Sequence, residues 1–254
     1  VGRDMTAVGK SMTAAITVPI IAVGGFALKT GIEFESAFAG VRKTVDATEG
    51  ELAELSDGIR AMAKEIPAAA TEIAGVAEAA GQLGIETDNI LGFTRVMIDL
   101  GEATNLSGEE AATALARLAN ITQMSQKDFD RLGSTVVALG NNLATTESEI
   151  VEMGLRLAGA GKQVGMTEAQ ILGFAGALSS VGIEAQAGGS AFSKVMVQMQ
   201  LATEKGGTAL EEFADVAGMS AEEFKNAFQD DAAGAIIAFI QGLGSAEERG
   251  MSAI

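Results

Sequence analysis

Carboxylates are the side chains with which this sequence could do chemistry, because its 254 residues include no His and no Cys. The absence of imidazole and thiolate groups excludes a Ser-His-Asp triad, a cysteine nucleophile and the usual ligand sets for zinc. Two carboxylates about 5–10 Å apart in a cleft would suit glycoside hydrolysis, so a carboxylate-only glycosidase is the enzyme class that the composition leaves open. Adjacent acidic residues occur at Glu109–Glu110, Glu211–Glu212, Glu222–Glu223 and Glu247–Glu248.

Helix ends explain these acidic pairs better than an active site does. Adjacent residues on a helix point about 100° apart and do not face one cleft. Acidic residues in a first helical turn are stabilised by the helix dipole. The segment Gly159-Ala-Gly161-Lys162 also lacks the spacing of a phosphate-binding loop. We therefore predict no catalytic residue, no cofactor site and no metal site, and a chain that is not an enzyme.

The overall composition predicts an all-α protein. Ala, Leu, Glu, Met and Gln are good helix formers, and only 2 Pro interrupt the chain. A hydrophobic share of 48% excludes a disordered acidic tail. The net charge of −17, from 17 basic and 34 acidic residues, weighs against specific nucleic-acid binding, which depends on Lys and Arg.

Helix boundaries are marked by two repeated patterns. A Ser or Thr followed three residues later by Glu, Asp or Gln is typical of a capping box, and it occurs at Thr48, Ser107, Ser125, Thr146, Thr167, Thr208, Ser220 and Ser245. Glycines that suit the left-handed position after a helix are Gly84, Gly101, Gly165, Gly182 and Gly218. The patterns predict a multi-helix array of about ten to twelve amphipathic helices, at 20–46, 49–65, 71–83, 88–100, 108–122, 126–143, 147–164, 168–181, 189–203, 208–217, 221–229 and 231–243.

An uncharged run, Ser11–Leu28, lies between Lys10 and Lys29. It is barely long enough for a membrane span. Three interpretations stay open: a buried helix pair broken near Pro19, a segment that meets a membrane or a hydrophobic partner, and a targeting peptide. Its candidate contact residues are Ile16, Val18, Pro19, Ile20, Ile21, Phe26 and Leu28.

The sequence also indicates an internal duplication. Residues 84–93 align with residues 165–174 at an offset of 81, and both segments end in Ile-Leu-Gly-Phe. Chance similarity between helices rich in Ala and Gly is the alternative. The predicted organisation is an apolar helical segment at 1–47 and a helical core at 48–254, with duplicated units near 71–133 and 148–214. The candidate helix-packing residues are Ile90, Leu91, Gly92, Phe93, Ile171, Leu172, Gly173 and Phe174.

Four segments together resemble the core region of phage tail tape-measure proteins. They are the step Thr17-Val-Pro19-Ile20, the segment Gly31-Ile-Glu33-Phe34-Glu35, the stretch from Glu72 to Gly84, and the stretch from Gly182 to Phe192. Each motif carries little information, but their order and spacing are more specific. Gly189-Ser190 stands where the family more often has Gly-Thr.

The resemblance implies a structural role in the virion. Proteins of this family act as rulers in the lumen of the growing tail tube, set tail length, and assist tail assembly and genome delivery. It implies self-association, for example as a trimer, and contacts with tail-tube, tail-chaperone and tail-tip or baseplate proteins. Assembly would take place in the host cytoplasm, and the mature protein would lie in the tail tube lumen or at the tail tip.

We also expect the chain to be a fragment of a longer protein, because it begins with Val and ends at Ile254 within a run of small residues. The alternative function is a membrane-active helical module. In that case residues 11–28 would contact the host membrane and help to open the envelope.

Overall fold

The computed structural model describes residues 18–244, with side chains from Thr30 onwards. Within that part of the chain, all the regular secondary structure is helical, which confirms the all-α prediction. Each predicted helix has an observed counterpart whose ends agree to within about three residues. The described residues form twelve α-helices: α1 Val18–Thr44, α2 Glu49–Glu65, α3 Ala70–Gln82, α4 Ile90–Ala103, α5 Gly108–Thr122, α6 Phe129–Asn142, α7 Glu147–Gln163, α8 Glu168–Ser180, α9 Ser190–Lys205, α10 Thr208–Ala217, α11 Ala221–Asp230 and α12 Ala232–Gly244.

The described residues divide into two compact units, one up to Thr94 and the other from Arg95 onwards. In the first unit, α1 packs along α3, and α2 packs on α3. Phe34 and Phe38 of α1 are buried, and their rings stack with centroids 5.8 Å apart. The guanidinium of Arg60, on α2, lies 4.2 Å from the centroid of the Phe34 ring and pairs with Glu35 at 2.7 Å. The Phe34–Glu35 segment thus holds α2 against α1.

Small residues allow α1 and α3 to approach closely. A Cβ atom added at Gly40 would collide with the side chain of Glu78, and one added at Gly81 would lie 2.7 Å from a methyl carbon of Val45. The Thr44 hydroxyl donates a hydrogen bond to the carbonyl oxygen of Glu78, at 3.2 Å. Helix α1 lies in the predicted segment 1–47 and α3 lies in the predicted core 48–254, and the two helices pack against each other. The predicted division into domains stays a prediction.

In the second unit, α7 is the central helix, and it packs against α5, α6, α8 and α9. Its residues Ile150, Met153 and Leu157 are at most 1% exposed. A π-helical turn precedes α9. The last three helices, α10, α11 and α12, pack on one another. Phe224 is completely buried among them, with its ring centroid 6.3 Å from that of Phe213.

The predicted capping boxes are largely confirmed. Two of the predictions are wrong: Ser125 accepts instead from the amide of Lys127 in a 3-10 turn, and Thr208 lies inside α10 because Gly207 occupies the cap position. The box predicted at Ser245 lies outside the described residues. Both reciprocal hydrogen bonds are present at Thr48, Ser107, Thr146, Thr167 and Ser220.

The prediction that glycines adopt the left-handed conformation after helices is correct at four of five positions. Gly101 lies inside α4, where an added Cβ would come within 2.8 Å of the Gly108 amide nitrogen. It serves a close approach between α4 and the start of α5 and does not end a helix. Positive φ angles are found at Gly84, Gly165, Gly182 and Gly218.

Five of the described helices end in the same turn, the Schellman motif. In each, the amide of an apolar residue donates to the carbonyl five residues earlier, which is a hydrogen bond characteristic of the motif. One of these turns was not predicted, because Gln123 and not glycine occupies its left-handed position, at φ 57°. The donors and acceptors are Ile85 and Ala80, Met124 and Ala119, Met166 and Gly161, Ile183 and Leu178, and Met219 and Ala214.

Replacing Gln123 with glycine is expected to stabilise the second unit by about 0.5–1 kcal/mol. A left-handed conformation costs a non-glycine residue about 1–2 kcal/mol, and the extra unfolded-state entropy of glycine offsets part of the gain. Gln123 is exposed, so its side chain contributes little packing. Urea unfolding followed by circular dichroism measures the change. Gly165→Gln is the reverse control and should destabilise; a Gln123→Gly variant that unfolds at lower urea would contradict this account.

Candidate functional site

The acidic residues of the capping boxes serve helix starts. The pKa of each of four carboxylates lies below the usual 4.5, first because it accepts a hydrogen bond from the backbone amide of its cap residue, and further because hydroxyls donate to it. In the described part of the chain, no group of three or more acidic residues is placed to hold a metal ion. The four carboxylates belong to Glu51, Glu110, Glu149 and Glu223.

Acid should weaken the fold through these four carboxylates. Because the folded-state pKa is lowered from 4.5, their stabilisation is fully present above that pH and is lost as the pH falls through the lowered values. We expect the melting temperature to fall progressively as the pH is lowered below about 4.5, as measured by circular dichroism. A variant with all four glutamates changed to glutamine should show a flatter dependence. An unchanged profile would show that other carboxylates control acid unfolding.

The first Ile-Leu-Gly-Phe segment begins α4. Ile90 and Phe93 are buried, at 0% and 2% exposure. The side chain of Leu91 lies over Gly58 of α2, where an added Cβ would come within 2.5 Å of it. Gly92 itself is exposed, with no neighbouring atom within 4 Å of an added Cβ. The side chains of this segment pack against other residues, whereas its glycine does not.

The second Ile-Leu-Gly-Phe segment lies in α8 and packs in a similar way. Ile171 and Leu172 are completely buried. They lie against Gly161 and Gly154 of α7, where an added Cβ would come within 2.6 Å and 3.0 Å of their side chains. Gly173 has no neighbour within 4 Å of an added Cβ. The glycines that permit close packing are thus on the partner helices, and the alignment of the two segments did not find them.

The phenylalanine of the second segment makes a different contact from its counterpart. Phe174 is only half-buried, and its ring centroid lies 5.4 Å from that of Phe192 in α9. The contact ties α8 to the helix that follows the π-helical turn. In both segments the isoleucine is buried. That the segments belong to larger duplicated units stays a prediction.

A pair of glycines in α7 tests this packing. Gly161→Ala is expected to destabilise the second unit by about 1–2 kcal/mol, because overpacking against the fully buried Ile171 outweighs the gain in helix propensity. Gly159→Ala is the matched control, since an added Cβ there meets nothing within 4 Å, and it should stabilise by about 0.5–1 kcal/mol. Urea unfolding compares the two variants, and equal effects would contradict the packing account.

The predicted N-terminal contact residues are described only in part. Ile16 lies outside the described residues. The other six, from Val18 to Leu28, lie in α1, but their side chains are outside the described part. Within the described residues, no helix combines the length and the hydrophobicity that a membrane crossing requires. The contact of this segment with a membrane or partner stays a prediction.

An exposed apolar stripe on α12 is a candidate interaction surface that was not predicted from the sequence. Ile237, Ile240 and Leu243 are 46%, 43% and 51% exposed. They follow one another at intervals of three residues, so they lie on neighbouring turns of the helix. The whole helix, Ala232–Gly244, carries no charged residue. An uncharged helix in so acidic a chain was the signal that could have indicated this surface.

Comparison with known proteins assigns the chain to a family. The model of the phage-related minor tail protein family matches residues 56–254, which is more than half of the chain. The chain belongs to this family. Its members are components of the virion, and the matched residues here include α3 to α12, with both Ile-Leu-Gly-Phe segments and the stripe on α12.

Two relatives of this minor tail protein chain have more specific names. A probable tape measure protein of Halomonas phage phiHAP-1 is 22% identical over 240 residues, which is 89% of this chain and 28% of the relative. A tape measure protein of Pneumococcus phage Dp-1 is 22% identical over 153 residues, 60% of this chain and 13% of the relative. These matches confirm the predicted resemblance, and the chain spans a small part of each relative. No solved structure matches it significantly.

Proposed function

We propose that this minor tail protein chain is a folded helical region of a tail tape-measure protein, a structural component that sets tail length. The observation that supports the proposal is the similarity to two tape measure proteins, which extends over 89% of the chain in one of them. The all-α architecture agrees with such a role, because helix provides a defined length of about 1.5 Å per residue.

We further propose that this region is not itself the extended ruler. Its described helices have between 10 and 27 residues and are separated by capping boxes and Schellman turns. Even α1, with 27 residues, would extend only about 40 Å. Within each unit the helices pack side by side, so the region would act as a folded anchor in the virion, in the tube lumen or at the tail tip.

Self-association is the interaction that we propose for the stripe on α12. Two copies that each carry a net charge of −17 repel one another over most of their surface. Helix α12 has no charge and exposes three large apolar residues, so it is a face on which copies can meet at little electrostatic cost. Contacts with tail-tube, chaperone and tip or baseplate proteins would use other surfaces. We propose no catalytic role, since the capping carboxylates are engaged at helix starts.

An in-frame deletion tests the structural role in the phage. Removing the codons of residues 95–244 from the parent gene is expected to abolish tails or to leave their length uncontrolled, as measured by negative-stain electron microscopy. Tails of normal number and uniform length would overturn the proposal. A synonymous recoding of the same segment is the matched control and should leave tails unchanged.

A triple variant tests the self-association separately. Ile237→Ser, Ile240→Ser and Leu243→Ser together remove the exposed apolar groups while leaving the buried face of α12 intact. Sedimentation velocity is expected to show oligomers for the original chain and monomers for the variant. Retention of the oligomer, with an unchanged circular dichroism spectrum, would exclude α12 as the contact.

A further inference from the structure

Helix α9 has one buried side and one exposed side. Met196, Met199 and Ala202 are buried against the rest of the second unit. On the other side Val197 and Leu201 are 37% and 45% exposed, and they lie one helical turn apart. A surface depression of about 310 Å³ opens beside Val197. The exposed side therefore carries an apolar stripe of its own, the stripe on α9, formed by Val197 and Leu201.

Two exposed lysines flank the stripe on α9. Lys194 lies one turn before Val197, and Lys205 lies one turn after Leu201. Neither ammonium group forms an ion pair in the described part of the chain. The single carboxylate of the helix, that of Glu204, accepts a hydrogen bond from a glutamine of the same helix at 3.2 Å. Among the described helices of the second unit, α9 is the one with a net positive charge.

The three helices that include the stripe on α12 have the opposite charge. Residues 206–244, which contain α10, α11 and α12, hold seven carboxylates and one lysine, a net charge of −6. Asp215 of α10 is exposed and directly precedes Val216, whose carbonyl oxygen closely approaches Gly242 of α12. A carboxylate therefore lies near the end of the stripe at Leu243. The stripe on α12 is itself uncharged, but its surroundings are negative.

We propose that the stripe on α12 of one copy packs on the stripe on α9 of a second copy. The apolar residues would meet in the centre, and the flanking lysines would face the acidic helices of the other copy. Two acidic surfaces would then not have to meet each other. The stripes extend about 6 Å on α9 and about 9 Å on α12, so the contact is that of two crossing helices with axes about 8–10 Å apart. This pairing rests on the proposed self-association and adds the surface that receives the stripe on α12.

Mixing two variants tests which surfaces meet. One variant, Val197→Ser with Leu201→Ser, lacks the stripe on α9. The other, Ile237→Ser with Ile240→Ser and Leu243→Ser, lacks the stripe on α12. Sedimentation velocity, at a concentration at which the original chain associates, is expected to show each variant alone as a monomer. The equimolar mixture should form a complex, because each variant supplies the surface that the other lacks, and circular dichroism checks that both are folded.

The other outcomes of this experiment are distinguishable. If the α9 variant alone associates as strongly as the original chain, the pairing of α12 with α9 is overturned, while self-association through α12 stands. If both variants are monomers and the mixture stays monomeric, the two stripes do not meet and the pairing is again overturned. If the original chain is itself a monomer, the proposed self-association fails, and the pairing fails with it.

Charge reversal tests the contribution of the lysines. Lys194→Glu with Lys205→Glu should weaken the association constant about tenfold, because two attractive contacts become repulsive. Lys127→Glu with Lys162→Glu is the matched control, with the same change in total charge at exposed positions elsewhere in the second unit. Lys162, like Lys205, lies in the last turn of its helix. The control should have a much smaller effect in sedimentation velocity, and equal weakening by the two pairs would overturn the proposed pairing.

Discussion

Replacing Phe224 with alanine is expected to lower the free energy of unfolding of the second unit by about 3–5 kcal/mol, the usual cost of removing a large buried aromatic side chain. Phe224 has no exposed surface. Its ring centroid lies 6.3 Å from that of Phe213 in α10 and 6.2 Å from that of Phe228. The Phe213 ring in turn contacts Phe239 of α12 at 5.4 Å. The substitution would therefore leave a cavity where all three helices meet.

Urea unfolding followed by circular dichroism measures this loss, and Phe174→Ala is the comparison. Phe174 is only half-buried, and its ring is tilted against that of Phe192, so about 1–2 kcal/mol is expected there. Because α12 carries the exposed stripe, Phe224→Ala should also reduce self-association in sedimentation velocity. A loss no larger than that of Phe174→Ala would show that the α10–α12 core collapses around the missing ring.

The second large effect is expected at Gly242, where alanine should destabilise the unit by about 2–3 kcal/mol. An added Cβ would collide with the carbonyl oxygen of Val216 and lie 3.3 Å from the Cα of Ala217. These are backbone atoms at the end of α10, so neither can swing away as a long side chain would. The clash outweighs the gain of about 1 kcal/mol that alanine brings to a helix.

Gly244→Ala is the matched control for this glycine. It lies two residues further on in the same helix, and an added Cβ would meet nothing within 4 Å. Its effect on the free energy of unfolding should stay within about 0.5 kcal/mol. If Gly242→Ala is equally harmless in urea unfolding, the close approach of α12 to α10 is not maintained in solution, and the exposed stripe is positioned in some other way.

Much of the local structure was predictable because it depends on residues within a few positions of one another. Ser220 and Glu223 form their box three residues apart, and Gly165 follows α7 in a turn whose bonds span five residues. The two mistakes at helix starts have local causes as well. At Thr208 the preceding glycine takes the cap position, and at Ser125 the chain enters α6 through a 3-10 turn.

The candidate surfaces were less predictable, because exposure depends on which helices cover a given face. Helix α12 has apolar residues on most sides, so its sequence does not tell which side is buried. The packing of α10 and α11 covers one side and leaves the stripe of Ile237, Ile240 and Leu243 at the surface. In the same way, the packing of α9 on α7 and α10 leaves Val197 and Leu201 exposed.

The sequence by itself determined the helices of this protein, most of their caps and turns, and the absence of histidine and cysteine chemistry, because these depend on residue type and on short-range hydrogen bonds. Only the tertiary structure decided which glycines permit close packing, as at Gly161 and Gly242, and which apolar residues the helix contacts leave exposed, as at Val197 and Leu201. Those contacts join segments that are distant along the chain. The sequence did not predict them because each helix can bury its apolar face against several alternative partners. The choice among them is made by the fit of the whole core.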